Sequence, residues 1–160
     1  QIKPLPLQAQ FSIVYGINIQ DFDGDGNNDV LISGNNYGNE ILVGRLDASN
    51  GVFLKGDGKG NFKVVNNSGF YLPYDAKSAV SITGAAGKLL IFGAQNRGPL
   101  RVFETNLQKS NLNIKPGSKA IIYTVAGKTT RKELYYGSGY LGQSTLNVFL
   151  PPNAKVLKIE

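Results

Sequence analysis

An all-β fold is predicted, on three grounds. Apolar residues alternate or fall in short runs between turns, and no segment carries a 3.6-residue stripe. Twenty glycines and seven prolines punctuate 160 residues, as a chain of short strands and tight turns requires. A hydrophobic content of 41% is enough for a core, yet no apolar run approaches the roughly 18 residues of a membrane helix. The length suits one globular domain, or at most two small ones.

The elements follow in order. Residues 1–10, with Pro4 and Pro6, read as a linker or extended edge segment. Phe11, Ile13, Tyr15, Ile17 and Ile19 alternate as the apolar face of a half-buried strand. After the loop Gln20–Asn28 come a short apolar strand at Val30–Ser33 and a turn at Asn35–Asn39. Further strands are expected at Ile41–Val43, Val52–Leu54, Phe62–Val65, Ala79–Thr83, Lys88–Phe92 and Leu100–Glu104. Beyond a polar connector at Asn106–Ser118, strands are expected near Ala120–Ala126, Lys132–Tyr136, Thr145–Leu150 and Lys155–Ile159. An internal similarity is visible at a constant offset. Val30, Leu31, Ile32 and Gly34 correspond to Leu89, Leu90, Ile91 and Gly93, 59 residues on.

The composition restricts the chemistry. Cys, His, Trp and Met are absent, which excludes disulfides, thiol nucleophiles, imidazole acid–base catalysis and cysteine or histidine metal sites. The lack of Met suggests a processed or excised piece of a longer product. General acid–base work would fall to Asp, Glu, Lys or Tyr. Asp47, Asp57 and Asp75 stand alone in turns, and Glu40, Glu104 and Glu133 have no acidic partner in sequence, so no catalysis is expected. Residues 1–100 carry eight Lys/Arg and eight Asp/Glu, whereas residues 101–160 carry nine and three; the net +6 therefore resides in the tail. Its cations are scattered apart from Arg131–Lys132, which fits a solvated face and edge protection better than a specific nucleic-acid surface.

One motif is strong. Residues 21–29 read DFDGDGNND, placing four of the eleven acids within nine residues. So many carboxylates in so small a space repel one another unless a hard cation with oxygen ligands neutralises them. Asp21, Asp23 and Asp25 can turn alternate side chains inward, Gly24 and Gly26 let the chain wrap tightly, and Asp29 closes the shell with the Asn27 carbonyl. A helix–loop–helix calcium loop would want Glu where Ile32 stands, and flanking helices in place of strands. Calcium is the expected cofactor, magnesium fitting such a flexible cage poorly. The plain alternative is a solvated Asp/Gly/Asn turn. The corresponding turn of the second copy, Thr83–Gly87, has no acid.

The stretch DFDGDGNNDVLISGN resembles the FG-GAP, or VCBS, repeat of integrin-type β-propellers and bacterial surface proteins. The resemblance continues through Gly44–Phe62, similar to large FG-GAP proteins of the Bacteroidetes type, and Lys132–Thr145 resembles the ASPIC/UnbV module that follows such repeats. It implies propeller blades forming a partial propeller, or a compact β-sandwich, followed by a small β module. The implied boundaries are two repeats over residues 11–105, the second degenerate, and an ASPIC/UnbV-like module over 106–160. It further implies Asp21, Asp23, Asp25, Asn27 and Asp29 as calcium ligands in part of a longer, exported polypeptide, placed at the outer-membrane surface, in the periplasm or secreted. The function expected is adhesion, or interaction with a protein or glycan at the cell surface. The alternative is a non-catalytic accessory module of a carbohydrate-active enzyme.

Weaker features complete the reading. Gly56–Asn61 (GDGKGN) lacks the Lys-Ser/Thr ending of a phosphate loop and reads as a hairpin turn. Tyr135, Tyr136 and Tyr140, set among glycines, form a candidate stacking platform for sugars or bases. The simpler expectation is that these rings pack on neighbouring strands, with Arg131 and Lys132 pointing into solvent.

Overall fold

Asp29–Gly34 is buried at every position, and both its faces carry apolar side chains. Such a strand must lie inside a sheet with both faces covered. A computed structural model, which describes every residue except Gln1, Asn113, Pro116, Tyr135, Ser138, Leu141 and Pro152, places it so. The chain is all-β, and its described residues form three open antiparallel sheets, consistent with a sandwich or a partial propeller. The first has the order β1 (Val14–Gln20), β2 (Asp29–Gly34), β3 (Val52–Gly56), β4 (Phe62–Val64). The second runs β5 (Asp75–Thr83), β6 (Lys88–Asn96), β7 (Arg101–Gln108). In the third, β8 (Ala120–Val125) lies between β9 (Lys128–Glu133) and β10 (Lys155–Ile159). Among the described residues no helix is long and apolar enough to cross a membrane.

The two segments related by the 59-residue offset, in β2 and β6, each hold a place between two antiparallel neighbours. Leu31 of β2 faces Ala79, Leu89, Ile91 and Leu107 of the second sheet, together with Phe149 from the tail. Val30 and Ile32, on the other face, join Ala9, Val52 and Leu54. Leu54 is wholly buried, a contribution of about 1.5–3 kcal/mol. Ile121, Tyr123, Val125 and Val148 form the core of the third sheet. The tail is tied to the second sheet by the backbone hydrogen bond from Thr145 N–H to the Ser81 carbonyl (2.7 Å), and Ser110 N–H, just beyond β7, donates to the Val148 carbonyl (2.8 Å).

Several strands differ from their expected form. The segment expected as a strand from Phe11 begins at Val14, and its burial is inverted: Gly16, Asn18 and Gln20 face inward while Ile17 and Ile19 are 50% and 58% exposed. The cause is close approach and amide bonding. A Cβ on Gly16 would lie 2.8 Å from the Ala79 backbone nitrogen. Asn18 Nδ2 donates to the Ala79 carbonyl (2.7 Å) and Gln20 Nε2 to that of Phe149 (2.8 Å). Ile41–Val43 is an exposed turn, closed by donation from Val43 and Gly44 to the Glu40 carbonyl (3.0 and 3.1 Å). The strand expected at Lys132–Tyr136 is instead β9, which ends at Glu133. Among the described residues, Thr145–Leu150 makes only the single β-bridge Lys109–Phe149. Gly56–Asn61 turns between the antiparallel β3 and β4, with Asp57 Oδ1 accepting from Lys59 N (2.7 Å) and Asn61 N (3.1 Å).

Candidate metal centre

The acidic loop joins β1 to β2, so its two ends are set by the pairing of Gln20 with Asp29. Between them the chain folds around Asp21. Its Oδ1 accepts from the N–H groups of Gly24 (2.8 Å) and Asp25 (3.1 Å), and its Oδ2 accepts from Gly26 (2.9 Å). This wrap needs left-handed backbone at Gly24 and Gly26, with φ of 80° and 85°, which glycine adopts without a Cβ penalty. Asp29 closes the loop from the strand side: Oδ2 accepts from Phe22 N and Oδ1 from Gly56 N, both at 3.0 Å. The last bond ties the loop to the end of β3.

Three carboxylates meet here. One oxygen each from Asp21, Asp23 and Asp29 lies within 4.8 Å of the others. Oxygens on one calcium ion at 2.3–2.6 Å are up to about 5 Å apart, so the spacing fits a shared cation. A carboxylate offers about four lone-pair directions, and the backbone donors to Asp21 and Asp29 leave some free for a metal. Among the described residues no other set of three Asp, Glu, His or Cys side chains converges in this way.

The electrostatics follow from burial. Asp21 and Asp29 are buried. Burial raises the Asp21 carboxyl above its usual range against the pull of the Gly26 and Gly24 N–H groups, and the charges of Asp25 and Asp23 add to the rise. Asp29 is raised by burial too, against donation from Gly56 and Phe22. Asp25 behaves oppositely: burial pulls it up, but the Asn27 N–H and the Lys55 ammonium outweigh this and hold it low.

The five residues expected as ligands therefore divide. Asp21, Asp23 and Asp29 come together; Asp25 is not in that set and turns to Lys55, 3.2 Å away. The Asn27 side chain accepts from Lys128 Nζ at 2.6 Å. Lys55 also pairs with Asp23, so β3 supplies a cation to the mouth of the loop. Its own proton is held more tightly by these two bonds. The sequence signal for Lys55 is slight: it is the outward residue of VFLKG, recognisable only once the register of β3 is known.

Two of the three tyrosines of the expected platform are described. Tyr135 lies outside the described residues. Tyr136 is exposed, and Tyr140 stacks obliquely on Tyr15 with ring centroids 5.2 Å apart. Asp75, read as an isolated turn residue, is a buried residue of β5 bridged to Lys77 at 2.7 Å. Lys132, expected in solvent, instead donates from Nζ to Oε1 of the buried Gln20. Alternation along β9 turns Lys132 inward between Arg131 and Glu133, which face outward and pair with each other.

No protein-family model matches the chain, and no curated protein or solved structure matches it significantly. The reading of the site thus rests on its own residues.

Proposed function

We propose that the chain is a calcium-binding β-repeat module of an exported bacterial protein, serving adhesion or interaction with a protein or glycan at the cell surface. The observation that carries the calcium reading is the convergence of Asp21, Asp23 and Asp29 within 4.8 Å on a loop wrapped by two left-handed glycines. Hard oxygen donors in a flexible, anionic loop suit calcium. The ion would take over the charge balance that Lys55 supplies at Asp23 and Asp25, and would keep the buried Asp21 and Asp29 ionised. Calcium so placed ties β1, β2 and the end of β3 together, because Asp29 is also held by Gly56. The role is structural: the ion fixes the loop, and the partner is met elsewhere on the surface. The FG-GAP resemblance of residues 21–35 supports the interaction role and the exported setting.

The test has two parts. Calcium is titrated calorimetrically into chelator-stripped protein, wild type and Asp23→Ala. One site per chain, lost in the variant, supports the reading; no heat in the wild type removes it. A glycan array and a surface-protein panel, probed with and without calcium, then test the interaction role. Hydrolysis of a polysaccharide or ester, abolished by one substitution in this chain, would replace that role with catalysis.

A further inference from the structure

A cleft of about 460 Å³ opens between β1, β9 and the segment 143–149. Its walls mix two kinds of surface. Ile17 and Ile19 from β1 and Leu146 from the tail are substantially exposed apolar side chains that line it, and the buried Leu89, Tyr123 and Phe149 also contribute. Lys132 enters from β9.

The setting of Lys132 is unusual for a lysine. Its ammonium donates to the Gln20 side-chain carbonyl, and Gln20 is itself fixed by donation of Nε2 to the Phe149 carbonyl at 2.8 Å. The amide is thereby oriented with its acceptor toward the amine. Among the described residues no carboxylate lies within ion-pair distance of Lys132, although neighbouring Arg131 and Glu133 pair with each other. An ammonium has three donors, and a cation held partly buried without an anion is disfavoured. The charged groups around it are Asp21 at the end of β1, which attracts its charge, the Tyr123 phenol on β8, and Arg131 and Glu133 on its own strand. Burial nonetheless lowers the amine to about 8.

We propose that this cleft binds a small organic anion, its carboxylate received by Lys132 and its apolar body lying on Ile17, Ile19 and Leu146. Charge complementarity selects the carboxylate, and the exposed aliphatic wall selects the body. The volume is in the range of small-molecule sites, roughly 300–1,000 Å³. It also accounts for the inverted strand β1. The inward amides of Asn18 and Gln20 bind backbone across the fold, and the displaced isoleucines become the wall of the cleft. The proposal does not depend on calcium at the acidic loop, and its test is run in chelator.

The probes are octanoate and 4-phenylbutyrate, each beside its uncharged amide. Binding is followed by calorimetry and by amide chemical shifts. The wild type is expected to bind the acids at least about tenfold more tightly than the amides, a difference of about 1.4 kcal/mol. Lys132→Met keeps most of the length of the side chain and removes its charge, so it should abolish that preference, and Lys132→Arg should retain it. Shifts should centre on Ile17, Ile19, Leu146 and Lys132. The preference should fall as pH rises through about 8, where an ordinary surface lysine would hold it to about 10. Should Lys132→Met fail to fold, Ile19→Glu, which puts a like charge at the mouth, is expected to weaken acid binding and spare the amides. No acid binding by the wild type at about 10 mM, well above the millimolar affinity expected of a weak site, overturns the proposal. So does an acid preference that survives in Lys132→Met.

Discussion

Replacing Asn35 by alanine should cost this protein a large part of its stability. Asn35 is fully buried at the end of β2, with φ of 85°. Its Nδ2 donates to the Ser49 carbonyl (2.6 Å) and the Tyr74 carbonyl (3.0 Å), and its Oδ1 accepts from Ser49 N (3.0 Å). One side chain thus holds the approach to β3 and the approach to β5. Three hydrogen bonds at about 1 kcal/mol net each give about 3 kcal/mol, more if the buried partners stay unsatisfied. Alanine in the left-handed region adds about 1 kcal/mol, which asparagine largely escapes. The expected loss is about 4–5 kcal/mol, against a usual total of roughly 5–15 kcal/mol. Asn35→Gly loses the same bonds without the backbone strain and should recover about 1 kcal/mol of that. Urea melts of the three proteins, compared at unchanged slope, measure both differences. A loss in Asn35→Ala below about 1.5 kcal/mol, little more than one hydrogen bond, would refute the hub. A glycine variant no better than alanine would refute the strain.

Three further outcomes are expected. Gly56→Ala should weaken calcium binding at least tenfold by calorimetry, because its Cβ would lie 2.1 Å from the Asn28 carbonyl oxygen and displace the loop next to Asp29; overpacking of this kind also costs about 1–3 kcal/mol. In calcium-free protein, Asp21 and Asp29 are raised, so the folded state holds their protons more tightly than the unfolded chain does. Their penalty on the fold is present above the folded values and disappears as pH falls through them; side-chain carboxyl NMR should place both above, and Asp25 below, the ordinary range. Leu54→Ala, at a fully buried position among Val30, Ile32 and Val52, should lower unfolding free energy by about 2–5 kcal/mol in the same urea assay.

The legible parts of the fold are those whose signal is local. The runs at Val30–Ser33 and Lys88–Phe92 mark strands held between two neighbours; β2 is covered on both faces and is apolar over that run, whereas β6 buries Leu89 and Ile91 and leaves Leu90 and Phe92 half-buried. Acid spacing and glycines identified the loop that brings Asp21, Asp23 and Asp29 together. What pattern alone mis-set was β1. Its isoleucines alternate well, but the inward face is chosen by Asn18 and Gln20 through partners 61 and 129 residues away, and by a backbone approach at Gly16 that leaves no room for a side chain. Periodicity gives the two faces of a strand without saying which one a distant carbonyl will claim. The same distance hid Lys55, 32 residues from Asp23, and the amide–amine contact between Gln20 and Lys132, 112 residues apart.

As proposed, the loop from Asp21 to Asp29 binds calcium through three converging carboxylates, and the ion displaces Lys55. Calorimetric titration of calcium into chelator-stripped wild type, Asp23→Ala and Lys55→Met tests it most directly. One site is expected in the wild type, none in Asp23→Ala, and tighter binding in Lys55→Met, where the competing ammonium is gone from Asp23 and Asp25. Absence of binding in the wild type would contradict it.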